Sequence, residues 1–209
     1  MSDTDPITVY ADYVCPFCYL GRRSLDTYQD ERADPLDIDW RPFDLQSHKR
    51  GPDGDIDHSV EDGKDEEYFE QAWQNVERLR EQYGVEMVGF EDIPREVDSF
   101  PAQVASWYVR ETHPEQWLDF DEALYEAVWV EARDIEDTEV LASIAEDVEL
   151  DGAEIREAVR NEDIREEVRE QFDAAQRQRI TGVPTFVYGE HAARGAVPPE
   201  HLQRLVEGA

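Results

Sequence analysis

The only two cysteines of the chain, Cys15 and Cys18, stand between a strand pattern and a helix pattern in the segment DYVCPFCYLG. ITVYADYV (Ile7 to Val14) is rich in β-branched and aromatic residues and reads as a strand. YLGRRSLDTYQDER, after the pair, reads as a helix with Leu25 and Tyr28 on one face. This transition predicts Cys15 at or near a helix N-terminus, where free backbone N–H groups and the helix dipole favour a thiolate over a thiol. Cys18 follows one turn later on the same face, within reach of a disulfide with Cys15. Pro16 suits the first helical turn, where a missing N–H costs nothing. Phe17 brings no charge, so a charged group that stabilises a thiolate has to come from elsewhere in the fold.

Three readings of such a pair compete. A zinc site needs two further ligands, but there are no other cysteines, and the histidines at 48, 58, 113, 191 and 201 show no pair at metal spacing. No metal ligand is therefore expected. Two inert core cysteines are the second reading. The third, a catalytic dithiol, suits the strand-to-helix position best. Near the C-terminus, TGVPTF sets Pro184 in front of a strand. A proline there is confined to strand starts, edges and bulges, and position alone leaves the Val183–Pro184 bond open between cis and trans.

Charge narrows the partners. Asp plus Glu number 52 against 20 Lys plus Arg among 209 residues, a net charge of −32, which opposes binding to nucleic acid or to an anionic membrane. Hydrophobic residues at 40% still allow a substantial core, so this is a folded chain. Lys49 and Lys64 are the only lysines. Abundant carboxylates with almost no lysine resemble the proteins of extreme halophiles, where screening at about 1 M salt cuts the Debye length to roughly 3 Å. An acidic surface made for a basic partner is the alternative. The N-terminal MSDTDPITVYADYVCPFC has no basic segment followed by an apolar one, and no apolar run approaches the roughly 18 residues that span a bilayer. A cytoplasmic location is expected. In such a compartment a Cys-x-x-Cys signals redox chemistry or metal more often than a structural disulfide.

Further along, LDIDWRPFDL (Leu36 to Leu45) alternates apolar and polar residues and predicts a second strand. A polar loop of residues 46–64 follows, functional or mobile by its length, with His48 and His58 as solvated residues within it. From Asp65 to about Arg179 the pattern is almost entirely helical. Phe69, Ala72, Trp73, Val76 and Leu79 form one buried stripe closed by Gly84. Ser99 and Pro101 open the next helix. Trp117, Phe120, Leu124 and Val128 form another stripe, and Val140, Leu141, Ile144 and Val148 a third. Asp151 with Glu154 suggests a capping box, and Ile164, Val168 and Phe172 carry a long last helix. GVPTFVYG and ARGAV read as two strands with EHA as their turn, and PPEHLQRLVEGA as a closing helix.

Together these residues resemble the DsbA family of the thioredoxin-like superfamily, and within it the FrnE-like branch, over essentially the whole chain. DYVCPFCYLG is similar to that branch's active-site segment, WRPFDL to its second strand, residues 120–151 to its inserted helices, and TGVPTFVYGEHAARGAV to its proline strand and hairpin. The segment DSFPAQVASW departs from the branch, with Gln103-Val104-Ala105 where Ala-His is usual. The resemblance implies an α/β fold: a thioredoxin-like domain (residues 1–62 and 171–209) with a large helical domain (63–170) inserted between the second and third strands. It implies a cis Val183–Pro184 bond beside Cys15, with the Val183 backbone pairing a substrate's extended chain. Cys15 becomes the exposed nucleophile and Cys18 the buried resolving thiol, with Pro16 and Phe17 also at the substrate.

The expected function is thiol–disulfide oxidoreduction by a protein disulfide oxidoreductase. Its expected substrate is a disulfide-containing protein or a small thiol, and a separate thiol partner reduces or oxidises it. The Cys15–Cys18 disulfide serves in place of a cofactor, and the chain acts as a monomer or homodimer. A related branch, the 2-hydroxychromene-2-carboxylate isomerases and kappa-class glutathione transferases, normally has a serine for the first cysteine. An enzyme acting on a small-thiol conjugate is therefore the first rival, and a non-catalytic, chaperone-like peptide-binding module the second.

Overall fold

The computed structural model describes residues 5–51, 54–57, 59–61, 63, 65–89, 92–93 and 97–208. The first strand, β1 (Ile7–Ala11), leads into α1 (Pro16–Asp30), and the second strand, β2 (Ile38–Pro42), pairs parallel to β1. Among the described residues six α-helices follow: α2 (Glu66–Tyr83), α3 (Phe100–Thr112), α4 (Trp117–Trp129), α5 (Thr138–Asp147), α6 (Gly152–Arg160) and α7 (Glu162–Arg177). The chain then returns through β3 (Thr185–Tyr188) and β4 (His191–Arg194) to α8 (Pro199–Glu207). The four strands lie in the order β2-β1-β3-β4, with β3 antiparallel to both neighbours. This is the expected α/β architecture, with the helical insertion between the second and third strands. α7 runs unbroken across positions 170 and 171, the expected join of the two parts.

Strand alternation explains how the sheet is covered. Val9 and Ala11 of β1 and Ile38 and Trp40 of β2 share one face with Leu25 of α1 and with Trp117 and Tyr125 of α4. On the other face Tyr10 and Arg41 reach α7: the Tyr10 hydroxyl donates to Gln178 at the end of that helix (2.6 Å), and Arg41 to Gln171 (3.0 Å). Leu20 and Leu25 of α1 are fully buried, each worth about 1.5–3 kcal/mol relative to exposure. α8 packs Leu202 and Leu205 into the core.

Several boundaries differ from the sequence pattern. β1 stops at Ala11 because the Asp12 carboxylate accepts the Val14 N–H (3.3 Å) and the Asp12 carbonyl the Cys15 N–H (3.2 Å), a local turn that competes with the ladder. β2 is likewise shorter than Leu36 to Leu45, ending at Pro42. The helical run is interrupted after α2, where Gly84 adopts a left-handed φ of 64° and the described residues 85–89 carry no helix. The hairpin turn is Gly189–Glu190, not EHA, since Tyr188 pairs with His191. Phe69 leaves the predicted stripe and is 38% exposed, in edge contact with Tyr68, while Val76 and Leu79 are buried. Asp151 caps α6 through the Ala153 N–H, but Glu154 completes no box and instead accepts from Tyr108. Of the loop at 46–64, His48 is exposed, and His58 lies outside the described residues.

Candidate active site

Cys15 is the N-cap residue of α1, and Pro16 occupies the first helical turn. The Cys15 carbonyl accepts the N–H groups of Cys18 (2.9 Å) and Tyr19 (3.3 Å), which sets the two cysteines one turn apart. Both are free thiols. The Val183–Pro184 peptide bond is cis. The Cys15 thiol donates to the Val183 carbonyl at 3.7 Å, joining parts of the chain 168 residues apart. Cys15, Cys18, Val183 and Pro184 therefore meet at one place, with Pro16 and Phe17 between the cysteines.

Cys15 is 4% exposed and Cys18 2%. This corrects the expectation of an exposed Cys15: the Val183 loop lies against its sulfur and the residue joins the core cluster. The two thiols still differ. Burial, and then the neighbouring Cys15 side chain, push the Cys18 thiol well above the usual range, so Cys18 is held protonated within hydrogen-bond reach of Cys15.

Beneath the pair lies Asp12, fully buried, which the sequence reading did not single out. Its carboxylate accepts the Leu45 N–H (2.9 Å) and a hydrogen bond from Ser99, and its backbone N–H faces the Cys18 sulfur. Burial raises its pKa to about 7, against the opposing pull of the Ser99 and Leu45 donors. The signal was present: an acidic residue within an apolar strand run requires buried partners. Ser99 in turn accepts from Gln103 Nε2 (3.0 Å), which also donates to the Phe43 carbonyl (3.2 Å). The unusual DSFPAQ segment thus braces Asp12 from α3.

The inserted helices grip the other side. The Tyr13 hydroxyl donates to Asp121 (2.9 Å) and lies 2.7 Å from Ser106 Oγ, while Arg22 pairs with the same Asp121 carboxylate (2.9 Å). Trp129 Nε1 donates to the Tyr13 carbonyl (2.8 Å). Tyr13 and Arg22 flank the cysteines, so α3 and α4 hold the start of α1 directly.

A four-stranded sheet of this order, with a Cys-x-x-Cys opening the first helix and a cis-proline facing it, defines a thioredoxin-type dithiol fold with a helical insertion. The family model of the DSBA-like thioredoxin domain matches residues 6–207, and the chain belongs to that family. Its sequence is 25% identical over 202 residues to YwbO of Bacillus subtilis, named as an uncharacterized protein, covering 96% of this chain and 94% of that one. Among solved structures, a candidate protein disulfide isomerase from Nitrosomonas europaea shares the fold at a TM-score of 0.77, with 17% identity over 99% of this chain and 97% of that one. A 2-hydroxychromene-2-carboxylate isomerase shares it at 0.73, with 20% identity over 98% and 94%.

Proposed function

We propose that the chain is a thiol–disulfide oxidoreductase working through Cys15 and Cys18. The observation that carries this reading is the meeting of Cys15 Sγ, at a helix N-cap, with the Val183 carbonyl, while Cys18 waits protonated behind it. In the reducing direction the Cys15 thiolate attacks one sulfur of a substrate disulfide. That S–S bond breaks, and one substrate thiolate leaves and takes up a proton. Cys18 then gives up its proton and attacks Cys15 Sγ. The second substrate thiol is released, and the enzyme's two electrons have passed to the substrate, leaving a Cys15–Cys18 disulfide. A thiol partner restores the dithiol. The Val183 backbone pairs with the substrate's extended chain in the manner of an added strand, next to Pro184, Pro16 and Phe17. We place the reaction in the cytoplasm at high salt, by a monomer or homodimer of the FrnE-like branch.

The test is reduction of an insulin-like disulfide by dithiothreitol in molar salt. The wild-type chain accelerates it and Cys15→Ser abolishes the acceleration; full activity in Cys15→Ser sinks the reading. The structural likeness to a 2-hydroxychromene-2-carboxylate isomerase favours a second reading, an enzyme acting on a small-thiol conjugate. It predicts turnover that survives Cys18→Ser, which dithiol chemistry does not allow.

A further inference from the structure

A groove of about 500 Å³ opens beside the thiol pair. Phe17 of α1, Arg78 and Tyr83 of α2, Val183, Arg194 at the end of β4 and His201 of α8 contribute to its walls. Phe17 lies between the two cysteines in the active-site turn and the Val183 carbonyl touches the Cys15 sulfur, so the groove shares two of its wall residues with the surroundings of Cys15. The Tyr83 hydroxyl donates to the Ala196 carbonyl (2.8 Å), tying α2 to the β4–α8 loop and fixing the opposing walls.

The charge of this groove runs against the rest of the molecule. Asp and Glu make up 52 of 209 residues, yet no described Asp or Glu lines it. Arg78 and Arg194 both do, and among the described residues neither is tied to a carboxylate in an ion pair. Arg78 donates instead to neutral groups, Asn75 (2.7 Å) and Gln82 (3.2 Å). Its neighbour Arg80, outside the groove, pairs with Glu77. A guanidinium presents planar paired donors that match a carboxylate, and a cleft of one sign in a field of the other concentrates ligands of the opposite charge.

We propose that this groove selects disulfides that carry a carboxylate close to the reacting sulfur, with Arg78 and Arg194 as the specificity-determining residues. The proposal rests on the reading of Cys15 as the nucleophile. The carboxylate belongs either to an acidic side chain of a polypeptide or to a small thiol compound.

The test follows oxidation of the pre-reduced full chain in a single turnover at about 1 M salt, where a Debye length of roughly 3 Å leaves contact pairs but little long-range steering. The probes are a peptide with one internal disulfide flanked by glutamates, its glutamine and lysine counterparts, and the small disulfides 3,3′-dithiodipropionate and cystamine. The glutamate peptide is expected to react about fivefold or more faster than the glutamine peptide, in the range of one or two charge-assisted contacts. The lysine peptide is slower still. In the double variant Arg78→Gln with Arg194→Gln the glutamate-to-glutamine ratio falls toward one. A matching preference for dithiodipropionate over cystamine assigns the carboxylate to small thiols as well; a preference confined to peptides assigns it to polypeptide substrates. Equal rates for the three peptides in the wild-type chain, with equal rates for the two small disulfides, overturn the proposal. Because that contrast is read in the wild-type chain, it does not depend on how the variant folds. If none of the probes oxidises the dithiol, the oxidoreductase reading itself fails and takes this one with it.

Discussion

Asp12 is the residue whose environment most sharply departs from its ordinary chemistry. Its carboxyl titrates at about 7 in the folded chain because burial disfavours the charge more than its donors support it. A folded-state pKa raised above the ordinary 3.8 means that the proton is held more tightly after folding. The stability this brings is complete below about pH 4 and is lost as the pH rises through about 7. Asp12→Asn removes the titration. Its stability relative to the wild-type chain should therefore climb between about pH 4 and 7, by on the order of a few kcal/mol, and level off above. Denaturant unfolding of both chains at constant salt checks this; a difference that does not vary with pH contradicts it. Cys15 and Cys18 were legible because their chemistry is written in adjacent letters. The roles of Asp12, Arg78 and Arg194 were not, because each depends on partners brought in from other elements. The burial of Cys15 escaped for the same reason: Val183 covers it from the far end of the chain.

At the scale of elements, α1 is shaped by what lies against it. Gly21 sits inside this helix, where glycine costs roughly 1 kcal/mol relative to alanine. The reason for keeping it is contact: a Cβ there would stand 3.0 Å from Pro184 Cγ and 3.2 Å from Phe186 Cζ. Gly21→Ala should thus destabilise the chain by about 1–3 kcal/mol despite better helix propensity, since the Pro184 ring and the Phe186 side chain must give way by a few tenths of an ångström in a packed site. It should also slow disulfide reduction, because the atoms displaced belong to the proline that faces Cys15. Unfolding midpoints and the insulin assay read both effects, and a more stable, equally active variant contradicts the account. The helices themselves were legible from their periods of apolar residues, as the buried Phe120, Leu124, Leu141 and Val168 bear out. Their ends were less so. Side chains such as Asp12 redirect backbone hydrogen bonds one or two residues from where the pattern stops, and the exposed Phe69 shows that a stripe reports helicity more securely than burial.

For the molecule as a whole, the order of strands and helices was readable from local pattern and motif, while the groove, which needs α1, α2, β4 and α8 together, was not. The net charge of −32 sets its behaviour in solution. Surface self-repulsion is screened within roughly 3 Å at about 1 M salt and reaches about 10 Å at 0.1 M. The chain should lose cooperative folding when dialysed into dilute buffer and regain it in molar salt, as followed by circular dichroism. Full stability without salt contradicts the halophilic reading. Mass spectrometry of the Cys18→Ser variant mixed with a disulfide-bearing peptide tests thiol–disulfide exchange through Cys15 most directly. The account predicts a stable adduct joined through Cys15, since the resolving thiol is gone. Absence of an adduct, or one joined elsewhere, contradicts it.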